Sequence, residues 1–180
     1  MVEVIHLDSS LLRGLVDPDD DPANRSEAKR LLNSSPEARF RISILAAGEV
    51  IGKIAETKSV SCGAGATAEL SRLFRRRRLD MRGIGKGYEA MELAVELMKS
   101  DPLITPADAL LVAIASKDDE CDAFATLDNT ILESKVLERQ ATSYRVRVLD
   151  ARMPRRRKYA SSFGKEVNMF LNHGSMRIDS

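Results

Sequence analysis

Four acidic residues, Asp8, Glu49, Asp108 and Asp128, stand at the ends or on the flanks of apolar segments rather than on polar faces. Asp8 ends VEVIHL, Glu49 lies inside ISILAAGEVIGKI, Asp108 opens the apolar part of TPADALLVAIA, and Asp128 follows AFATL. Carboxylates in such places gather at one end of a sheet. Gathered carboxylates repel one another, and a divalent cation resolves the repulsion. The pattern points to a metal-dependent enzyme acting on phosphates, with hard oxygen ligands suited to Mg²⁺ or Mn²⁺. No His or Cys cluster competes for the role. The histidines are His6 and His173, and Cys62 and Cys121 lack zinc-ligand spacing.

The elements that must position these acids alternate along the chain. Val2–Leu7 is rich in β-formers and reads as a buried first strand. Asp8, Ser9 and Ser10 then lie at a strand-to-helix turn, before a short helix over LLRGLV that Gly14 could break. DPDDDPANRS reads as a loop, with Ser26 capping a helix to about Asn33. Phe40–Ile44 is a second strand. Ser43 caps a helix to about Thr57, with Leu45, Val50 and Ile54 inward. KSVSCGAGATA and MRGIGKG read as Gly-rich connections around a helix from Glu69 to Leu79. Tyr88–Lys99 is amphipathic, with Met91, Val95 and Met98 on one stripe. Thr105-Pro106 is a strong helix start. Ala123–Leu127 is a strand, Asn129–Gln140 a helix, and Arg145–Leu149 a last strand. Parallel strands need helical crossovers, so the order implies an α/β fold of three layers, α/β/α, around a central parallel sheet. Residues 1–150 form this domain, and 151–180 a basic C-terminal arm that could hold a short helix at EVNMFL.

At 180 residues, with 43% hydrophobic content and a formal net charge of +1, the chain has a core and no global bias toward nucleic acid. Charge is unevenly spread. Lys and Arg dominate 69–88 and 151–180, whereas acids dominate 89–150. The runs Arg75, Arg76, Arg77, Arg78 and Arg155, Arg156, Arg157, Lys158 are candidate contacts to RNA phosphates, although such runs are often solvated faces. The cysteine usage suits a reduced, cytoplasmic setting. Neither a signal segment nor a membrane span is expected. CGAGA and GIGKG lack the strand–Gly–helix context of a nucleotide loop.

HLDSS, SILAAGEV, PADALLVAIA and ATLDN, in this order, resemble the PIN-domain (PilT N-terminus) ribonucleases over about residues 2–150. The resemblance implies a nuclease hydrolysing RNA phosphodiesters, with Mg²⁺ or Mn²⁺ held by Asp8, Glu49, Asp108 and Asp128. It assigns Asp8 and Asp108 as direct ligands and Asp128 as a ligand directly or through water. Glu49 is a ligand or accepts from a metal-bound water. Ser10 and Thr126 match the hydroxyls that support the cluster in the family, and Asp122 is an accessory candidate. Expected partners are RNA, a second copy, and an antitoxin or RNA-processing protein. Against the small toxins of the family, this chain is longer, with a Gly/Ala-rich segment, an arginine run and a basic arm.

Each acid also has a plain structural reading. Asp8 and Asp128 could cap the helices that follow, Asp108 could serve a helix dipole, and Glu49 could be an ordinary helical residue. The alternatives to a nuclease are a non-cleaving PIN-fold scaffold binding RNA or protein, and the VapC-type toxin of a toxin–antitoxin pair. A phosphatase with Asp8 as nucleophile would want an acid at position 10, where Ser10 stands. Dimerisation could use the helix at 88–99 or the arm at 165–172.

Overall fold

A computed structural model describes residues 2–76, 79–83 and 85–153. The strands β1 (Val4–Leu7), β2 (Arg39–Ser43), β3 (Asp80–Arg82), β4 (Ala123–Thr126) and β5 (Arg147–Asp150) form one five-stranded sheet in the order β3-β2-β1-β4-β5. Every pairing is parallel, with Ile5 opposite both Phe40 and Ala123. Strands β1 and β4 are buried at every position, which is why VIHL and AFAT read as apolar runs instead of alternating ones.

Two helices fill each crossover: α1 (Ser9–Val16) and α2 (Pro22–Ser34), α3 (Ile44–Thr57) and α4 (Val60–Arg75), α5 (Gly87–Ser100) and α6 (Pro106–Lys117), then α7 (Asn129–Glu133) and α8 (Lys135–Ser143). Helices α1 to α4 pack on one another, and α5, α6 and α8 do likewise. These are the outer layers of the expected three-layer fold. From β1 the chain steps outward to β2 and β3, then returns to the other side of β1 as β4. With right-handed crossovers, the helices after β1 and β4 leave toward opposite faces. The carboxyl ends of these neighbouring strands therefore bound a crevice, the usual ligand site of an open parallel sheet.

Local chemistry fixes the helix starts. Ser43 accepts from Ala46 N at the head of α3, and Thr105 from Asp108 N at the head of α6, where Pro106 follows. Helix α2 departs from expectation. It begins at Pro22 with Asp21 as its cap, not at Ser26, because Asp21 accepts from Ala23 N and proline suits the first turn. Helix α1 runs unbroken through Gly14, where an added Cβ would lie 2.9 Å from the Asn24 carbonyl oxygen; close packing on α2 explains the glycine.

The Gly-rich stretch 58–68 is the largest correction. Most of it is helix, capped by Ser59, and α4 ends at Arg75 rather than Leu79. An added Cβ on Gly63 would stand 2.8 Å from Ala55 Cβ, so Gly63 lets α3 and α4 approach closely. MRGIGKG begins inside the short edge strand β3. The final helix is two, α7 and α8, with Ser134 between them as the cap of α8. Helix α5 buries Ala90, Leu93, Ala94 and Leu97. Tyr88, Met91 and Val95 are exposed on it, so the stripe noted in the sequence is not the buried face. Both cysteines are free. Burial pushes the Cys121 thiol up to about 12, so it behaves as an apolar residue, whereas Cys62 is exposed.

Candidate active site

Asp8 is the first residue past β1, and its backbone N–H still donates to the Ala125 carbonyl at 2.9 Å. It occupies the cap position of α1 yet makes no side-chain capping bond. Its carboxylate instead accepts at Oδ2 from Ser10 Oγ and from Thr126 Oγ1, both at 2.7 Å. The other oxygen, Oδ1, is buried and has no hydrogen-bond partner. Asp8 is only 1% exposed. An orphaned carboxylate oxygen at that depth is costly unless something binds it.

The hydroxyls around Asp8 are themselves fixed. Thr126, fully buried at the end of β4, accepts from Asp128 N at 2.9 Å. Ser10 Oγ accepts from Leu127 N at 3.2 Å. The end of β4 and the start of α1 are thereby joined through two side chains that also aim Asp8. Register makes this possible: Leu7 lies opposite Ala125, so Asp8 and Thr126 come side by side past the last pair.

Asp108 sits in the first turn of α6. Its carboxylate accepts from Thr105 Oγ1 at 2.6 Å, and its N–H donates back to the same oxygen at 3.2 Å. It fills its structural role and yet is perturbed. Burial pushes its pKa up, and the charges of Asp8 and Asp128 push it further, against the Thr105 hydrogen bonds. Glu49, on α3, is likewise raised by burial, then by Asp8 and Asp108, with Lys53 and the Ser9 hydroxyl opposing. Asp128 caps α7 by accepting from Thr130 N at 2.7 Å.

All four acids therefore belong to one electrostatic neighbourhood, built from the carboxyl ends of β1 and β4 and from two helices. Sequence reasoning treated Thr105 only as a helix start and passed over Ser9 as a support of Glu49. Both hydroxyls lie near acids in sequence or space, and the signal for Thr105 was its position three residues before Asp108.

Other sequence candidates do not join the cluster. Asp122 lies at the opposite edge of the sheet, where its carboxylate accepts from Val4 N at 2.8 Å at the start of β1. Arg75 and Arg76 are exposed at the end of α4, and the Arg75 guanidinium donates back to the Ser71 carbonyl. Arg77, Arg78, Arg155, Arg156, Arg157 and Lys158, and the arm with its helix at 166–171, lie outside the described residues. A hollow of about 370 Å³ borders His6, Arg82, Lys86 and Asp118 and contains none of the four acids. In that hollow His6 and Lys86 are paired with Asp118 and Asp119.

Among the described residues, no group of three or more His, Cys, Asp or Glu side chains is placed to hold a metal ion. The donor set nonetheless suits Mg²⁺ or Mn²⁺. It offers hard oxygens, a buried carboxylate oxygen without a partner, and excess negative charge, and such ions bind through one or two carboxylates while keeping several waters.

Neither a family model nor a curated protein matches the chain. Solved structures do. The chain is similar to VapBC2 from Rickettsia felis bound to a promoter DNA fragment, at 13% identity, covering 82% of this chain and 99% of that one, TM-score 0.54. It is similar to VapC20 from Mycobacterium tuberculosis, a sarcin-ricin loop cleaving toxin, at 18% identity, covering 72% and 95%, TM-score 0.55. FitAcB from Neisseria gonorrhoeae aligns at 15% identity, covering 82% and 97%, TM-score 0.51. At these identities the likeness is one of fold, and the fold is that of the PIN domain. No described helix is long and apolar enough to cross a membrane.

Proposed function

We propose that the chain is a metal-dependent endoribonuclease whose acidic centre is Asp8, Glu49, Asp108 and Asp128. The observation that carries the reading is Asp8: one oxygen held by Ser10 and Thr126, the other buried without a partner, amid like charges. Asp8 and Asp108 are assigned as direct ligands of Mg²⁺ or Mn²⁺, with Asp128 acting directly or through water. A bound cation supplies a water of lowered pKa and offsets charge on the phosphate. Ser10 and Thr126 keep Asp8 in one orientation and leave its other oxygen for a ligand. Glu49 has a raised pKa and is suited to accept a proton from an attacking water. Thr105 orients Asp108 in the same manner as Ser10 orients Asp8.

The test is cleavage of a panel of single-stranded and hairpin RNAs by purified protein, with Mn²⁺ or EDTA, beside Asp8→Asn. Cutting that needs Mn²⁺ and is lost in the variant supports the reading. Failure of both proteins to cut would move the assignment to a non-cleaving RNA- or protein-binding scaffold.

A narrower reading is a toxin neutralised by an antitoxin, favoured by the likeness to VapBC2, VapC20 and FitAcB. Growth arrest on expression, relieved by Asp8→Asn and by co-expression of an upstream small gene, supports it. Unimpaired growth with active protein would reject it.

A further inference from the structure

Helix α5 carries two apolar faces. Ala90, Leu93, Ala94 and Leu97 are buried in the core. Tyr88, Met91 and Val95 are left to solvent, at 73%, 61% and 43% exposure. Their alternating spacing of three and four residues continues to Met98, which is half-buried and packs on the core. Apolar residues at that spacing form the seam by which one helix packs along another. The outer face of an ordinary surface helix carries charged and polar residues instead.

Charge marks what this seam accepts. At about 100° per residue, Glu89, Glu92 and Glu96 fall in one row along its outer flank. All three are exposed, and Lys99 is the only cation within α5. An RNA strand is repelled by such a row. A second copy docked through the same seam is also disfavoured. An antiparallel pairing of two α5 helices would set the three glutamates of each copy into one interface, with one lysine from each to answer them. Positive charge beside an apolar stripe is the complement that fits.

We propose that α5 is a docking surface for a basic amphipathic helix of a protein partner. Apolar residues of that helix cover Tyr88, Met91 and Val95, and Lys or Arg beside them pair with Glu89, Glu92 and Glu96. The surface is about two heptads long, or about 21 Å of helix. Because α5 contributes none of the four site acids, the proposal stands apart from the nuclease reading.

The probe is a labelled synthetic helix of about 20 residues, long enough to hold a helix in water. It carries Leu at the seam positions and Lys or Arg beside them, and a twin carries Glu there instead. The full chain is titrated with each by fluorescence anisotropy, without RNA or metal, at about 50 and about 500 mM KCl. The wild type should bind the basic helix at least about tenfold more tightly than the acidic twin, with the preference shrinking in high salt. Glu89→Lys, Glu92→Lys and Glu96→Lys together should reverse the preference. Met91→Asp should weaken binding of the basic helix by more than about tenfold. Its urea midpoint should stay in place, because Met91 is exposed.

Met91→Asp is the decisive variant, since it adds an acid. Attraction between charges alone would make it bind the basic helix more tightly, whereas docking through the seam makes it bind less. Tighter binding by that variant, equal affinity for the two helices, or no binding of either overturns the proposal. A dimer in sedimentation that Met91→Asp dissociates overturns it too, and gives the seam to a second copy. Absence of RNA cleavage beside intact helix binding sinks the nuclease reading and leaves the docking surface standing.

Discussion

Two groups of carboxylates in this molecule meet opposite surroundings. On the sheet face covered by α5 and α6, Arg41 is fully buried in the middle of β2. Its guanidinium donates to Asp118 Oδ2 at 2.8 Å and to the Glu120 carboxylate, and His6 Nε2 meets the same Asp118 oxygen at 2.7 Å. Burial pushes the Asp118 pKa up, but the His6 hydrogen bond, the Glu120 N–H and the Arg41 charge outweigh it and hold the carboxyl well below the usual range. At the carboxyl edge of β1 and β4 the balance is reversed. Burial and neighbouring acids both push Asp108 and Glu49 up, and the exposed Lys53 opposes them at Glu49 without reversing the shift. One cluster is closed by the protein itself. The other is left with a deficit of positive charge, which is what a site for a cation requires.

The largest expected effect that separates the two comes from Asp8→Asn. RNA cleavage in Mn²⁺ should fall by more than about 100-fold, above the range for residues that only support a metal ligand. The urea midpoint should stay level or rise, because one of the repelling charges has gone. A variant that cuts normally would remove the acidic site from the chemistry.

Arg41→Ala is the opposite experiment. It removes the buried partner of Asp118 and Glu120, leaving Asp118 only His6 and the Glu120 N–H, and opens a cavity in the sheet face, so unfolding free energy should fall by about 3 kcal/mol, read from urea denaturation. If Arg41→Ala were as stable as the wild type while Asp8→Asn unfolded, the contrast between the clusters would be wrong.

Metal should sharpen the same contrast. Mn²⁺ at about 100 times its dissociation constant should stabilise the wild type by about 2.7 kcal/mol. A thermal-shift series should show that gain lost in Asp8→Asn and kept in Arg41→Lys. Thr126→Val removes a donor to Asp8 and the acceptor for Asp128 N. Its cost should be about tenfold in kcat, with CD showing the fold intact.

The acidic cluster was more legible in the sequence than the paired one, and the reason is physical. Three of the four site acids adjoin a local signal: Asp8 follows a buried strand, Asp108 follows a Thr-Pro start, and Asp128 follows AFATL. The parallel sheet then needs only its crossovers to bring them together. The paired cluster joins residues 77 and 112 positions apart, with no local mark on either partner. His6 was accordingly seen only as one of two histidines. Helix α4 escaped for a related reason. Its glycines are unfavourable for an isolated helix, and what rewards Gly63 is its contact with Ala55 on another helix. Edge strand β3, three residues long and polar, offered no apolar run to read. The stripe of Met91, Val95 and Met98 did not reveal the buried face, because Ala90, Leu93, Ala94 and Leu97 give the same helical period one residue away.

The smallest effect tests the sign of the electrostatics rather than its size. Glu49 has a folded-state pKa above its ordinary 4.5, through burial first and the charges of Asp8 and Asp108 next. Below neutrality the folded chain therefore holds this proton more tightly than the unfolded chain does. By linkage, the raised pKa costs stability at neutral pH, and the cost fades as pH falls from the folded pKa to 4.5. Glu49→Gln should be slightly more stable than the wild type at pH 7 without metal, with the difference closing as the pH is lowered through that window. Asp118 behaves in the other direction: its stabilising contribution is present above the ordinary Asp value and disappears as acid titrates it. Thermal midpoints of Glu49→Gln and wild type across that pH range decide the matter. A Glu49→Gln variant less stable than the wild type at pH 7, with the deficit disappearing toward acid, would mean that Glu49 is stabilised by a cation, and that the carboxyl edge of β1 and β4 is closed in the same way as the cluster around Arg41.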